Sequence, residues 1–130
     1  MTDRALNKIL LVEDDPDIQE VAVMALSDFG GFEVDVCSSG LEALERVVSI
    51  APDIILLDVM MPGMDGPSTL KELRANPETA AIPVVFMTAR SQPHEVDEYK
   101  NLGAVEVITK PFDPIGLGDA VRGIWAALDG

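Results

Sequence analysis

Three stretches of the chain are apolar and end abruptly in polar residues. They are Ile9-Leu10-Leu11-Val12 before Glu13-Asp14-Asp15, Ile54-Ile55-Leu56-Leu57 before Asp58, and Ile82 to Met87 before Thr88-Ala89. Short apolar runs of this kind predict strands buried on both faces, as in the middle of a parallel sheet. Two further stretches alternate. Phe32, Val34 and Val36 are interleaved with Glu33, Asp35 and Cys37, and within Ala104 to Thr109 the residues Val105, Val107 and Ile108 surround Glu106. A period of two predicts strands with one solvated face, which belong at sheet edges.

Helical spacing fills the intervals. Asp15-Pro16 supplies an N-cap and a first-turn proline, and Ile18, Val21, Ala22, Ala25, Leu26 and Phe29 form a stripe that runs to Gly30-Gly31. Ser39 with Glu42 reads as a capping box ahead of a stripe of Leu41, Leu44, Val47 and Val48, ending near Ala51-Pro52. Pro67 opens a third helix with Leu70 and Leu73 inward, which ends near Asn76-Pro77. A fourth, Ser91 to Leu102, turns only Val96, Tyr99 and Leu102 inward, so it buries least and is expected to be the most mobile. Asp113-Pro114 is expected to cap the last helix, with Leu117, Val121, Ile124, Trp125 and Leu128 facing the core. Met1 to Asn7 shows no period and is expected to fray.

Five strand-helix pairs predict an α/β fold: a (βα)5 doubly wound five-stranded parallel sheet with right-handed crossovers. Placing the continuous apolar strands centrally and the alternating ones at the edges fits the flavodoxin-like order 2-1-3-4-5, with strands 1 and 3 adjacent at the topological switch point. The carboxyl ends of parallel strands share one edge, so Glu13, Asp14, Asp58, Thr88 and Lys110 collect in one crevice. Any one of these acids alone would read as a turn or cap residue; their convergence changes that reading.

At 130 residues the expectation is one domain, residues 1–130, able to bury roughly two thirds of the surface its unfolded chain exposes. No run approaches the ~20 apolar residues that cross a bilayer, and no secretory signal pattern opens the chain, so the expected location is cytoplasmic. Nine Lys and Arg against a net charge of −14 argue against nucleic acid as a partner. Cys37, the only cysteine, is expected to be a small buried hydrophobe, and His94 a solvated residue, because no second histidine completes a metal site. Three clustered carboxylates repel one another, and a hard divalent cation resolves that repulsion; Mg²⁺ suits one or two carboxylates plus water and phosphate oxygens.

VEDD at Val12 to Asp15, LLDVMMPGMDG at Leu56 to Gly66, TA at Thr88-Ala89 and KPF at Lys110 to Phe112 together resemble the receiver domain of bacterial two-component response regulators, along essentially the whole chain. The resemblance implies a phosphorylation-dependent switch or relay in which Asp58 takes a phosphoryl group from a histidine kinase's phosphohistidine. It implies that Asp14, Asp58 and the backbone carbonyl of Met60 hold Mg²⁺, with Glu13 acting through water. Lys110 and Thr88 would contact the phosphoryl oxygens, and the Lys110-Pro111 bond would be cis. The implied partners are a sensor histidine kinase or phosphotransfer protein and a downstream protein. Because the chain ends directly after its fifth helix, a stand-alone phosphoacceptor without an output domain is expected.

Three positions depart from or modulate that pattern. Many receivers carry Tyr or Phe three residues before the KPF lysine, where the ring turns inward on activation; here the residue is Val107, a β-branched aliphatic that cannot make that swing. The expected readout is therefore the loop after Thr88 together with the fourth helix. Met60 and Arg90 flank the path by which water would attack an aspartyl phosphate. Alternative readings are a Mg²⁺-dependent phosphatase using an aspartyl phosphate, a pseudo-receiver acting by protein binding alone, and a flavin carrier. Met60 stands where such a phosphatase needs a second acid, and the acids after strand 1 would repel a flavin's phosphate.

Overall fold

The computed structural model describes residues 5–128. Five parallel strands, β1 (Lys8–Val12), β2 (Glu33–Cys37), β3 (Ile54–Asp58), β4 (Val84–Thr88) and β5 (Glu106–Thr109), form one sheet in the order β2-β1-β3-β4-β5. The helices that cross between them are α1 (Pro16–Val23), α2 (Gly40–Ile50), α3 (Gly66–Ala75), α4 (Pro93–Leu102) and, after β5, α5 (Leu117–Leu128).

Alternate residues of the central strands serve opposite layers. Leu10, Val12, Ile55, Leu57, Val84 and Phe86 join the core that α2 and α3 cover, whereas Ile9, Leu11, Ile54, Leu56, Val85 and Met87 join the core beneath α1 and α5. Both faces of β1, β3 and β4 are thus buried, which is why those strands carry unbroken apolar runs while β2 and β5 alternate. Asp15 caps α1 as expected, accepting from the N–H groups of Asp17 and Ile18, and Asp65 caps α3, accepting from Ser68 N–H at 2.8 Å.

Several expectations are corrected. Beyond Val23 the first helix widens into a π-helical segment, Met24–Phe29, whose i→i+5 bonding turns less per residue; the stripe loses phase and Phe29 ends exposed. In α2 the buried face is Gly40, Ala43, Val47 and Ile50, while Leu41 and Val48 are exposed. Closeness of approach sets that face: a Cβ at Gly40 would lie 2.1 Å from Thr69 Oγ1 on α3. The capping box there is offset, since Ser39 Oγ accepts from Glu42 N–H at 3.0 Å but Glu42 Oε1 accepts from Ser38 N–H at 2.7 Å. Asp113 does not cap α5. It accepts from Ile115 N–H in a separate turn, and the helix begins at Leu117. Leu102 and Leu128 are exposed. Asn7 is tied down, its N–H donating to Asp53 Oδ2 at 2.9 Å and its carbonyl accepting from Glu33 N–H; residues 1–4 of the stretch expected to fray lie outside the described residues.

Helix α4 has no buried residue, in keeping with its thin stripe. Tyr99 meets Phe86 edge-on at 5.2 Å between ring centroids, and Lys100 pairs with Glu106 of β5 at 3.4 Å.

The turn after β3 depends on one close approach. A Cβ at Gly66 would lie 2.5 Å from the carbonyl oxygen of Asp58 and 2.8 Å from Val59 Cα, both backbone atoms that cannot give way. Gly66→Ala should therefore destabilise the protein by about 1–3 kcal/mol and displace the loop that follows Asp58. Urea unfolding checks the first expectation and the rate of phosphoryl uptake the second; wild-type values for both would contradict this account.

Candidate functional site

The sheet brings the site together from three strand ends. Val12 pairs with Leu57 across β1 and β3, so Glu13 and Asp58 each lie one residue further along, at the switch point. Asp58 pairs with Met87 on β4, and Thr88 with Thr109 on β5, which leaves Lys110 as the next residue. Asp58 and Thr88 close their strands, 5% and 3% exposed, and Glu13 is 1% exposed. Ala89, Asp15, Met60 and Arg90 complete the walls of an open cleft of about 330 Å³ that also contains Asp14.

Lys110 is the hub of the charges. Its Nζ donates to Glu13 Oε1 at 2.6 Å and to Asp58 Oδ1 at 3.0 Å. Glu13 Oε2 accepts in turn from Asp15 N–H at 3.1 Å. Burial raises the Glu13 pKa, and the hydrogen bonds from Lys110 and Asp15 offset only part of that rise. Burial pulls the Lys110 pKa down, but its hydrogen bonds to Glu13 and Asp58 outweigh the pull and leave it raised. Thr88 Oγ1 accepts from Arg90 N–H at 3.0 Å, and the Lys110-Pro111 bond is cis.

Glu13, Asp14 and Asp58 can each place a carboxylate oxygen within 4.8 Å of the other two, with Asp14 the most exposed. Oxygens sharing one Mg²⁺ lie roughly 3–4 Å apart at metal-oxygen distances of about 2.1 Å, a spread that small side-chain rotations reach. Three carboxylates against one ammonium leave two negative charges uncompensated. A hard divalent ion fits both the donor atoms and the charge.

The six residues expected to form the metal and phosphoryl site all border this cleft: Glu13, Asp14, Asp58, Met60, Thr88 and Lys110. The Met60 side chain is 70% exposed. Val107 is partly buried against the core beneath α2 and α3, Cys37 is buried, and His94 is exposed. Sequence reasoning missed two features: the direct bond from Lys110 to Glu13, and Gln19. The side-chain Nε2 of Gln19 donates to the Glu13 carbonyl at 2.5 Å and to Ser38 Oγ at 3.1 Å. A polar residue outside the apolar stripe of a helix carries no signal that could single it out.

A doubly wound parallel sheet with an acidic cluster at its switch point, and a threonine and a lysine at the neighbouring strand ends, defines the CheY-like class of α/β proteins. The chain belongs to the response regulator receiver domain family, whose model matches residues 9–122. It is 35% identical over 118 residues to the response regulator Rre1 of Synechocystis, covering 91% of this chain and 51% of that protein. The DNA-binding response regulator MtrA of Mycolicibacterium smegmatis is 36% identical over 120 residues, 92% of this chain and 51% of the relative. The chain thus spans about half the length of these curated relatives. Among solved structures, the chemotaxis protein CheY4 of Vibrio cholerae aligns with a TM-score of 0.84 at 31% identity, over 92% of this chain and 99% of that one. A response regulator from Desulfuromonas acetoxidans aligns at 0.82 and 29% identity, over 94% and 98%. The chain is a receiver domain of two-component signalling, and its role is that of a signalling phosphoacceptor. Among the described residues no helix is long and apolar enough to cross a membrane.

Proposed function

We propose that residues 1–130 act as one cytoplasmic receiver in which Asp58 accepts a phosphoryl group from the phosphohistidine of a sensor kinase or phosphotransfer protein. The observation that carries this reading is the position of Lys110 Nζ, between Glu13 and Asp58 at the sheet edge where Thr88 also ends its strand. A carboxylate oxygen of Asp58 attacks phosphorus as the phosphorus-nitrogen bond breaks. The electron pair leaves with the donor imidazole, and an aspartyl phosphate results. Lys110 transfers its attraction from the carboxylate to the new phosphoryl oxygens. Thr88 donates its hydroxyl proton to one of them while Oγ1 still accepts from Arg90 N–H.

Asp14, Asp58 and the Met60 carbonyl would hold Mg²⁺, which when bound neutralises charge on the transferring phosphoryl group. Glu13 has both carboxylate oxygens engaged, by Lys110 and by Asp15 N–H, which favours an action through water. Met60 offers no proton to a leaving group, so a dedicated phosphatase is disfavoured; the domain's own turnover of its aspartyl phosphate is part of the proposal. The core test is mass measurement after treatment with acetyl phosphate. Gain of one phosphoryl group only with Mg²⁺ is expected, and no gain under either condition would leave binding alone as the function.

The signal leaves through the loop after Thr88 and α4 toward a downstream protein. Val107 supplies no swinging ring, and α4, with no buried residue, is held by the Tyr99-Phe86 contact and the Lys100-Glu106 ion pair. Amide exchange in Gln92 to Leu102 should change on adding a phosphoryl mimic such as beryllofluoride with Mg²⁺. Unchanged exchange there sinks this route.

A further inference from the structure

The Gln19 side chain, in the middle of α1, reaches out of its helix to a backbone group of the acidic loop. β1 ends at Val12, so the Glu13 carbonyl lies one residue beyond the strand ladder. A backbone acceptor at such a place needs a donor from elsewhere, and Gln19 Nε2 supplies it at 2.5 Å. The amide can face only one way, because its oxygen would repel a carbonyl that cannot donate. The second proton of the same nitrogen goes to Ser38 Oγ at 3.1 Å. That anchor is itself fixed: Ser38 N–H donates to Glu42 Oε1 at 2.7 Å, and Glu42 Oε2 accepts from Arg46 Nη1 at 3.0 Å. One amide therefore spans from the loop after β2 to the peptide that joins Glu13 to Asp14.

We propose that Gln19 is a positioning residue for the metal-binding acids, a strut that fixes the Glu13-Asp14 peptide and thereby the direction in which Asp14 presents its carboxylate. The inference rests on the Mg²⁺-dependent reading above. Asp14 is the most exposed of the three acids and has no lysine bridge like those of Glu13 and Asp58, so its aim depends on the backbone beneath it. Glu13 N–H, bonded to the Cys37 carbonyl at 3.0 Å, holds one side of that segment, and the strut holds the other.

The test uses the whole chain and Mg²⁺ alone, titrated by amide chemical shifts, with unfolding in excess chelator as the structural control. Gln19→Met keeps length and helix preference while removing both donors. It should raise the Mg²⁺ dissociation constant about fivefold, the equivalent of one ordinary hydrogen bond. Phosphoryl uptake from acetyl phosphate should fall at low Mg²⁺ and return to the wild-type rate at saturation. Ser38→Ala, which frees only the anchored end, should raise the constant about twofold, and the double variant should be no weaker than Gln19→Met, because both changes release the same strut. A purely structural role would lower stability in chelator and leave Mg²⁺ affinity unchanged, which would overturn the proposal. Should Gln19→Met fail to fold, wild-type affinity in Ser38→Ala overturns it equally. If the wild type neither binds Mg²⁺ nor takes a phosphoryl group, the parent reading fails first.

Discussion

Treated with acetyl phosphate and Mg²⁺, the Asp58→Asn protein should gain no phosphoryl group, whereas the wild type gains one. The substitution keeps the shape of the side chain and replaces the attacking carboxylate with an amide, which is a far poorer nucleophile toward phosphorus. It also leaves Glu13 and Asp14 in the same cleft, so the experiment distinguishes Asp58 from its neighbours. Positioning supports the same choice. Asp58 closes the central strand β3 and is fixed by Lys110 at 3.0 Å, whereas Glu13 has both oxygens occupied and Asp14 lies nearer solvent. Wild-type mass gain in Asp58→Asn would move the acceptor to another residue and overturn the assignment.

The second large effect is on stability. In excess chelator, Asp14→Asn should be more stable than the wild type by about 1 kcal/mol, the like-charge repulsion across 4.8 Å after discounting for the exposure of Asp14. Adding Mg²⁺ at ten times its dissociation constant should stabilise the wild type by about 1.4 kcal/mol and the variant by much less. Thermal unfolding with and without Mg²⁺ measures both, and a variant that matches the wild type in both would mean that Asp14 does not share the charge cluster. The pH dependence follows from Glu13, whose folded pKa is raised chiefly by burial, with Asp58 adding repulsion. The folded state then favours protonated Glu13. That contribution is complete below the ordinary carboxylate range and is lost as pH rises through the raised folded value. Asp58→Asn removes the like charge and should shrink that dependence.

In this chain the T-shaped Phe86-Tyr99 contact joins β4 to α4, and the Ser91-Thr109 hydroxyl bond at 2.8 Å joins β5 to the loop before α4. The Lys100-Glu106 ion pair at 3.4 Å adds a further link between α4 and β5.

The strands and the site were legible in the sequence because both depend on local order. Unbroken apolar runs at Ile9, Ile54 and Val84 follow directly from burial on two faces, and parallel strands must bring Glu13, Asp14, Asp58, Thr88 and Lys110 to one edge whatever the packing details. Which face α2 buries was a different matter. Gly40 and Ala43 win over Leu41 and Val48 because α3 comes close enough to exclude larger side chains, and no hydrophobic period encodes a distance to another helix. The π-helical widening after Val23 likewise has no counterpart in the spacing of apolar residues. By itself the sequence determined the topology of the sheet and which residues stand together at its edge. Only the tertiary structure decided that Lys110 bridges Glu13 to Asp58 and that Gln19 holds the Glu13 carbonyl, because those bonds join residues 97, 52 and 6 positions apart, and such partners become neighbours only once the sheet and α1 have packed.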